Sequence, residues 1–266
     1  MLMKLIALAA AVATLSAATP AAAVLTTFAT YSAIGGANIR FVNSGASAGR
    51  TTDATYYTTA TPTATTRGAA LVNFSFINSP IAPSVNNVSA RYTLDAVVAK
   101  NSPLVIAGTT YIQPGISGTF SFLSTAPIVV SGPGLITTVY PTGSNLLSGS
   151  FSASSLIGSR LGTSGATFAS GVIGTTISFT SDFLSFDALS LLDRSTSLTA
   201  IAPGSFPATN RALRTFRAVS GGQFSADPNP TALAAAVPET ATWTMLLAGF
   251  GLVGFSMRRR KAVAAA

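Results

Sequence analysis

Leu71-Val72-Asn73-Phe74-Ser75-Phe76-Ile77 places Val72, Phe74 and Phe76 on one side of an extended chain and Leu71, Asn73, Ser75 and Ile77 on the other. A period of two is the mark of a β-strand with one face turned to a core. Val88 to Val98 carries the same signal, with Val88, Ala90, Tyr92, Leu94 and Ala96 sharing a face. Working outward from these two segments, further strands are expected at 116–123, 128–130, 135–140, 149–156 and 175–179, and another near residue 216. The segments are short, rich in Thr, Val, Ile, Phe and Tyr, and punctuated by Gly, Pro, Asn and Ser, which predicts an all-β sandwich or jelly-roll-like domain. Gly221-Gly222, between Val219 and Phe224, reads as a two-residue hairpin turn, since both positions tolerate positive φ. Ser181 to Leu192 is ambiguous: Phe183, Phe186, Leu189 and Leu192 recur at helical spacing, while Asp182, Leu184 and Phe186 alternate as a strand would, and the surroundings favour strand. No internal period of a solenoid is present.

Two missing residue types exclude much chemistry. The 266 residues contain no His and no Cys. That removes the Ser-His-Asp triad, His-ligated zinc, thiolate nucleophiles, Fe–S clusters and disulfides. The fold must be held by its hydrophobic core, which a domain of about 200 residues can supply. Charged residues are only 8% of the chain against 48% hydrophobic ones, so polarity comes from Ser, Thr, Asn and Gly. Half of the formal charge of +8 lies at the two ends. Without Lys4, Arg258, Arg259, Arg260, Lys261 and Glu239, ten basic and six acidic residues remain, with Arg40, Arg50, Arg67, Arg91 and Arg160 scattered. No basic stripe with interleaved aromatics is present, so no nucleic-acid partner is expected.

The two ends read as targeting segments. Lys4 followed by the apolar run Leu5 to Leu15, and then by Ala21-Ala22-Ala23, predicts a Sec signal peptide over 1–23. The Sec translocon and signal peptidase are then expected partners. The exported all-β domain is assigned to 24–226, and Asp227-Pro228-Asn229-Pro230 opens a Pro/Ala linker over 227–237. Pro238-Glu239-Thr240-Ala241-Thr242-Trp243 then leads into an apolar stretch ending at Met257, closed by Arg258, Arg259, Arg260 and Lys261. Residues 240–257 as a helix would be about 27 Å long, close to the hydrocarbon thickness of a bilayer. Trp243 suits one interface, and the basic cluster suits the cytoplasmic one.

This tail resembles the PEP-CTERM sorting signal of Gram-negative bacteria, in its Pro-Glu-x-Ala-Thr-Trp subtype. Pro238, Glu239, Ala241, Thr242, Trp243, Met245, Gly249, Gly251, Gly254 and Arg258 to Arg260 carry the resemblance, which covers about thirty residues. Phe224 to Pro228 is similar to the stretch that often precedes such a signal. The resemblance implies recognition and processing by an exosortase, an integral-membrane transpeptidase-like enzyme. It also implies an inner-membrane-tethered precursor that then reaches the cell surface or an exopolysaccharide matrix. Thr240 stands where the family usually has a second proline, which would hold the motif extended. Threonine permits that conformation without enforcing it. The resemblance says nothing about the chemistry of residues 24–230.

Candidate sites outside the tail are sparse. Gly249-Phe-Gly251-Leu-Val-Gly254 matches G-x-G-x-x-G, but no acidic residue follows it and no βαβ unit surrounds it. Close packing of small residues on a membrane helix accounts for it better, and no cofactor is expected. Asp182, Asp187 and Asp193 form the only acidic cluster, with Asp182 and Asp187 as weak Ca²⁺ candidates. Paired carboxylates would also suit glycoside hydrolysis, but Asp193 adjoins Arg194 as a neutraliser, and solvated turn residues are the simpler account. Arg211, Arg214 and Arg217 would share a face on a helix and meet an anionic polymer, but on the strand expected near residue 216 Arg214 and Arg217 point to opposite faces; the plainer reading is solubilising charge. Thr58 to Thr66 lacks the repeated rungs of an ice-binding array and, being Ser/Thr-rich, suits an O-linked glycan equally. Tyr56, Tyr57, Tyr92, Tyr111 and Tyr140 are sugar-stacking candidates, or else half-buried strand residues. Lys100 follows Val97-Val-Ala, so no S-x-x-K dyad exists.

The expectation is therefore a non-enzymatic surface or matrix protein, displaying a neutral hydroxyl- and amide-rich β surface to polysaccharide or to other copies through exposed strand edges. A dedicated carbohydrate-binding or adhesion module is the competing reading.

Overall fold

The computed structural model describes residues 26–44, 52–131, 137–159, 166–170, 176–186, 191–203, 208–209, 212–226 and 228–230. The chain divides into two compact units, 1–232 and 233–266, and the described residues all lie in the first. They form β1 (Thr26–Ala33), β2 (Ile39–Asn43), β3 (Thr52–Thr58), β4 (Ala70–Phe76), β5 (Val88–Ala99), β6 (Val105–Ala107), β7 (Thr110–Ser124), β8 (Ile128–Ser131) and β9 (Thr137–Tyr140). There follow β10 (Asn145–Ser159), β11 (Ala166–Ser170), β12 (Ile177–Thr180), β13 (Leu184–Ser185), β14 (Asp193–Ala202), β15 (Ala208–Thr209), β16 (Ala212–Leu213), β17 (Phe216–Ala226) and β18 (Asn229–Pro230). The protein is all-β, with no helix among the described residues. The ambiguous segment near 184 contributes only the two-residue β13, which pairs with β18. The segments expected as signal peptide, 1–23, and membrane helix, 240–257, lie outside the described residues.

The sheet closes on itself. One edge of β17 carries β2 and then β1, and the other carries β14. One edge of β5 carries β4 and β3 end to end, and the other carries β7. β10 is treated alike by β12 and β11 on one side and β7 on the other. Joined through β1–β4, β2–β3 and β11–β14, these pairings make eight lines of strand in chain order, all antiparallel, with the last line bonded to the first. This is an up-and-down meander barrel. It corrects the expected sandwich or jelly roll, because each line pairs with its sequence neighbours and β1 meets β17 instead of leaving an edge. Closure also removes most of the strand edges expected to drive self-association from the barrel wall. Among the described residues, single-sided pairing persists at β12, which bonds only to β10, at β6, which bonds only to β7, and in the separate β8–β9, β13–β18 and β15–β16 pairs.

Gly221-Gly222 is the second correction. Both lie inside β17, opposite Ser32 and Tyr31 on β1 and opposite Ser197 and Thr196 on β14. A turn there would leave β1 and β14 without partners. Gly222 faces inward, where a Cβ would stand 2.6 Å from both the Ser195 carbonyl oxygen and the Tyr31 ring. The strand therefore passes through a space that holds no side chain at that point.

Alternation fills the interior. Val72, Phe74 and Phe76 on β4 and Ala90, Tyr92, Leu94 and Ala96 on β5 are buried, as their spacing required. Tyr92 and Phe122 stack at 4.5 Å, and Phe122 meets Tyr31, Phe74 and Phe224 at 4.9, 5.2 and 5.7 Å. Phe41 and Phe216 stack at 5.2 Å beneath β2, while Phe183 bridges Phe76 and Tyr140. Contacts of this kind add about 0.5–1.5 kcal/mol each beyond the area they bury. Most inward side chains are apolar and many outward ones carry hydroxyls, the reverse of a transmembrane barrel with its apolar outer band. No helix among the described residues is long and apolar enough to cross a membrane.

Candidate functional site

The outer face of the barrel is built from serine and threonine in cross-strand register. Thr93 and Ser121 hydroxyls meet at 2.6 Å, Ser150 and Ser178 at 2.8 Å, Ser152 and Thr176 at 2.6 Å, and Thr27 and Ser225 at 3.2 Å. Pairs of this kind tie neighbouring strands together and leave the surface neutral.

One rung departs from that pattern. Arg217, Arg40, Tyr57 and Asp95 are successive cross-strand partners on β17, β2, β3 and β5. The threonine-rich connection between β3 and β4 lies over them. Arg217 donates from Nη1 to the Pro62 carbonyl and from Nη2 to the Thr63 carbonyl, both at 2.9 Å. Arg40 donates to the Ala64 carbonyl at 3.4 Å, and the Tyr57 hydroxyl donates to the Thr65 carbonyl at 2.8 Å. Arg67, at the end of the same loop, pairs with Asp95 at 2.9 Å and lies 5.2 Å from the Tyr57 ring centroid. Four consecutive carbonyls thus face the barrel, and Thr61, Thr63, Thr65 and Thr66 are exposed. Arg217 lies on a strand, as expected near residue 216, and is a clamp on this loop, which corrects its reading as solubilising charge. Arg214 is exposed ahead of β17, and Arg211 lies outside the described residues.

A recess of about 400 Å³ opens at Gly221-Gly222. Its lining comes from the rung Thr30–Gln223–Ser195 and from Gly221 and its partner Ser197 on the next outward rung, with Tyr31 and Gly222 between them. Thr30, Gln223, Ser195 and Ser197 line it with hydroxyl and amide groups, and none of its lining residues is charged. Ser197 Oγ donates to the Gly221 carbonyl at 3.3 Å. The Thr30 and Ser195 hydroxyls and the Gln223 amide make no side-chain hydrogen bond to another described residue, unlike the paired hydroxyls elsewhere on the wall. These residues went unnoticed in the sequence because their convergence depends on β17 being a continuous strand.

The acidic candidates are distributed differently from expectation. Asp182 accepts the Asn145 backbone N–H at 2.7 Å, and Asp187 lies outside the described residues. Asp193 does not neutralise its neighbour. Successive strand residues face opposite ways, so Asp193 stays at the surface and accepts the Arg194 backbone N–H at 2.8 Å, while the Arg194 side chain runs into the core. There its guanidinium lies 5.1 and 4.6 Å from the Phe120 and Phe151 ring centroids. Burial raises the Asp193 carboxyl above its usual range, opposed by that backbone bond. Among the described residues, no three of His, Cys, Asp and Glu are grouped to hold a metal ion.

The tyrosines do not form a sugar platform. Tyr56 and Tyr92 are wholly enclosed, Tyr57 and Tyr111 are buried, and Tyr140 stacks on Phe183 at 4.1 Å. Burial pushes the Tyr56 and Tyr92 hydroxyls well above their ordinary range; neighbouring Tyr31 adds to the effect and Arg194 opposes it. The sorting-motif residues Pro238, Glu239, Thr240, Ala241, Thr242 and Trp243 lie outside the described residues, as do Gly249, Gly251, Gly254, Arg258, Arg259, Arg260 and Lys261.

Residues 236–261 match the family model of the PEP-CTERM protein-sorting motif. No curated protein and no solved structure matches the chain. The motif implies an exported protein that an exosortase recognises, anchored at the membrane and then processed.

Proposed function

We propose that this chain is a non-enzymatic structural protein of the cell surface or extracellular matrix, delivered there by exosortase processing of its PEP-CTERM motif and associated with exopolysaccharide. The match of residues 236–261 to the sorting motif carries the reading. The barrel supports it in kind: its outward side chains are mostly neutral hydroxyls, suited to a hydrated polysaccharide environment. The absence of His and Cys removes the commonest catalytic groups. The route begins with a Sec signal over 1–23 and holds the precursor by helix 240–257, with Arg258 to Lys261 on the cytoplasmic side.

Intact-mass measurement of the protein from its native host, in membrane and extracellular fractions separately, tests the route. The expected extracellular species ends near Pro238–Ala241. A sole membrane-bound species that retains Arg258–Ala266 would overturn the matrix assignment.

A further inference from the structure

We propose that the recess at Gly221-Gly222 is a binding groove for a neutral polysaccharide chain. This rests on the matrix reading above for the source of its ligand, and on the structure for its chemistry.

The two glycines have different causes. Gly222 is required by the fold, since any side chain there would strike the Tyr31 ring and the Ser195 carbonyl. Gly221 is not. A Cβ at 221 would meet the Tyr31 carbonyl oxygen at 3.3 Å and nothing else closer than 3.8 Å, and Gly221 is not among the residues with positive φ. The wall would accept a small side chain at 221 with a shift of a few tenths of an ångström. What its absence produces is the floor of the recess, between Ser32 and Ser197.

The lining selects the ligand class. β17 is hydrogen-bonded on both edges, to β1 and to β14, so no free backbone remains for an added peptide strand. With no charged lining residue, nothing is present to hold an anionic polymer by charge-assisted bonds. The lining is mixed, with the Thr30, Ser195, Ser197 and Gln223 side chains beside Tyr31 and the two glycines, so a wholly apolar ligand would strand polar groups without water. A sugar ring offers alternating donors and acceptors, and the Thr30 and Ser195 hydroxyls and the Gln223 amide can each both donate and accept. Their side chains are not engaged with one another. The one aromatic lining residue, Tyr31, packs its ring on Tyr92 and Phe122 in the core, so a single site binds weakly, and a polymer held by many displayed copies gains its affinity through multivalency.

The full chain, in a detergent without a sugar headgroup, is titrated calorimetrically with cellohexaose, laminarihexaose and maltohexaose as neutral probes and with hexagalacturonate as the anionic one. At least one neutral hexasaccharide is expected to bind with a Kd of about 1 mM. Gly221→Leu, which fills the floor, is expected to weaken it at least about tenfold, and the exposed Gln223→Ala about two- to tenfold through one lost hydrogen bond. Gln223→Ala keeps the test decisive should Gly221→Leu fail to fold. Binding by none of the neutral probes, binding unchanged in the variants, or equal binding of hexagalacturonate overturns the groove. None of these outcomes alters the mass of the secreted species, so failure of the groove and failure of the sorting route are read separately.

Discussion

Arg217 and Arg40 are direct cross-strand partners, and both turn their guanidinium groups away from carboxylates to the carbonyls of one loop. Two like charges opposite each other on a sheet repel. Here the carbonyl oxygens of Pro62, Thr63 and Ala64 supply the negative ends of dipoles that offset the repulsion and fix the loop. Removing Arg217 is therefore expected to release residues 59–69 more than to unfold the barrel. Arg217→Ala should cost about 1 kcal/mol in denaturant unfolding, since the bonds are solvent-exposed. Limited proteolysis should then cut within 59–69. Cleavage at the same rate in both proteins would contradict the clamp.

Gly221 and Gly222 offer a paired test of closure. Gly222→Ala forces a methyl against the Tyr31 ring and the Ser195 carbonyl and should destabilise by about 1–3 kcal/mol. Gly221→Ala has room on the outer face and should change stability by about 0.5 kcal/mol or less. If 221 and 222 formed a turn, the two substitutions would have no reason to differ in this sense. Equal unfolding midpoints would argue against the continuous strand.

How much of this was legible depended on what faces inward. β4 and β5 were readable because Val72, Phe74, Phe76, Tyr92 and Leu94 give an unbroken apolar period. β14 was not: its inward residues begin Arg194, Thr196, and its outward ones are Ser195 and Ser197, so no hydrophobic alternation marks it. Arg194 can face inward because two aromatic rings receive it, a tertiary fact that its neighbour Asp193 concealed. The double glycine signals a turn by local chemistry alone, and only partners on both sides make it a strand. Those partners are remote: β1 and β17 pair across about 200 residues, for example Thr26 with Ala226. The sorting motif was legible in full because its recognition rests on a short ordered run of side chains and needs no tertiary context.

That motif yields a direct expectation. Replacing Glu239 by Ala removes the acidic residue of the Pro-Glu pair and should leave the chain in the membrane fraction with Arg258–Arg260 intact. Thr240→Pro fixes φ near the extended value and should raise the processed fraction. Immunoblots of membrane and extracellular fractions read both. An unchanged distribution in Glu239→Ala would mean that processing does not read this motif.

Phe122 is the centre of the interior, 0% exposed and in ring contact with Tyr31, Phe74, Tyr92 and Phe224. Phe122→Ala should lower stability by about 3–5 kcal/mol, through lost transfer energy and the cavity left behind. Urea unfolding followed by tyrosine fluorescence measures it. A cost below about 1 kcal/mol would mean that the rings do not form a packed core.

The enclosed tyrosines make stability depend on alkaline pH. Burial raises the hydroxyls of Tyr56 and Tyr92 above the ordinary value of 10.0, with Tyr31 reinforcing the effect and Arg194 opposing it. Below pH 10 both tyrosines are protonated whether the chain is folded or not, so their contribution is fully present and independent of pH. Above pH 10 the unfolded chain releases protons that the folded one retains, and stability falls by up to about 1.4 kcal/mol per pH unit for each tyrosine. Absorbance at 295 nm should then show fewer than the six tyrosines of the chain ionising while the β-sheet circular dichroism persists. The remainder should appear in one step as the sheet signal is lost. Six tyrosines titrating near pH 10 with the sheet intact would place Tyr56 and Tyr92 in contact with solvent and contradict the closed barrel.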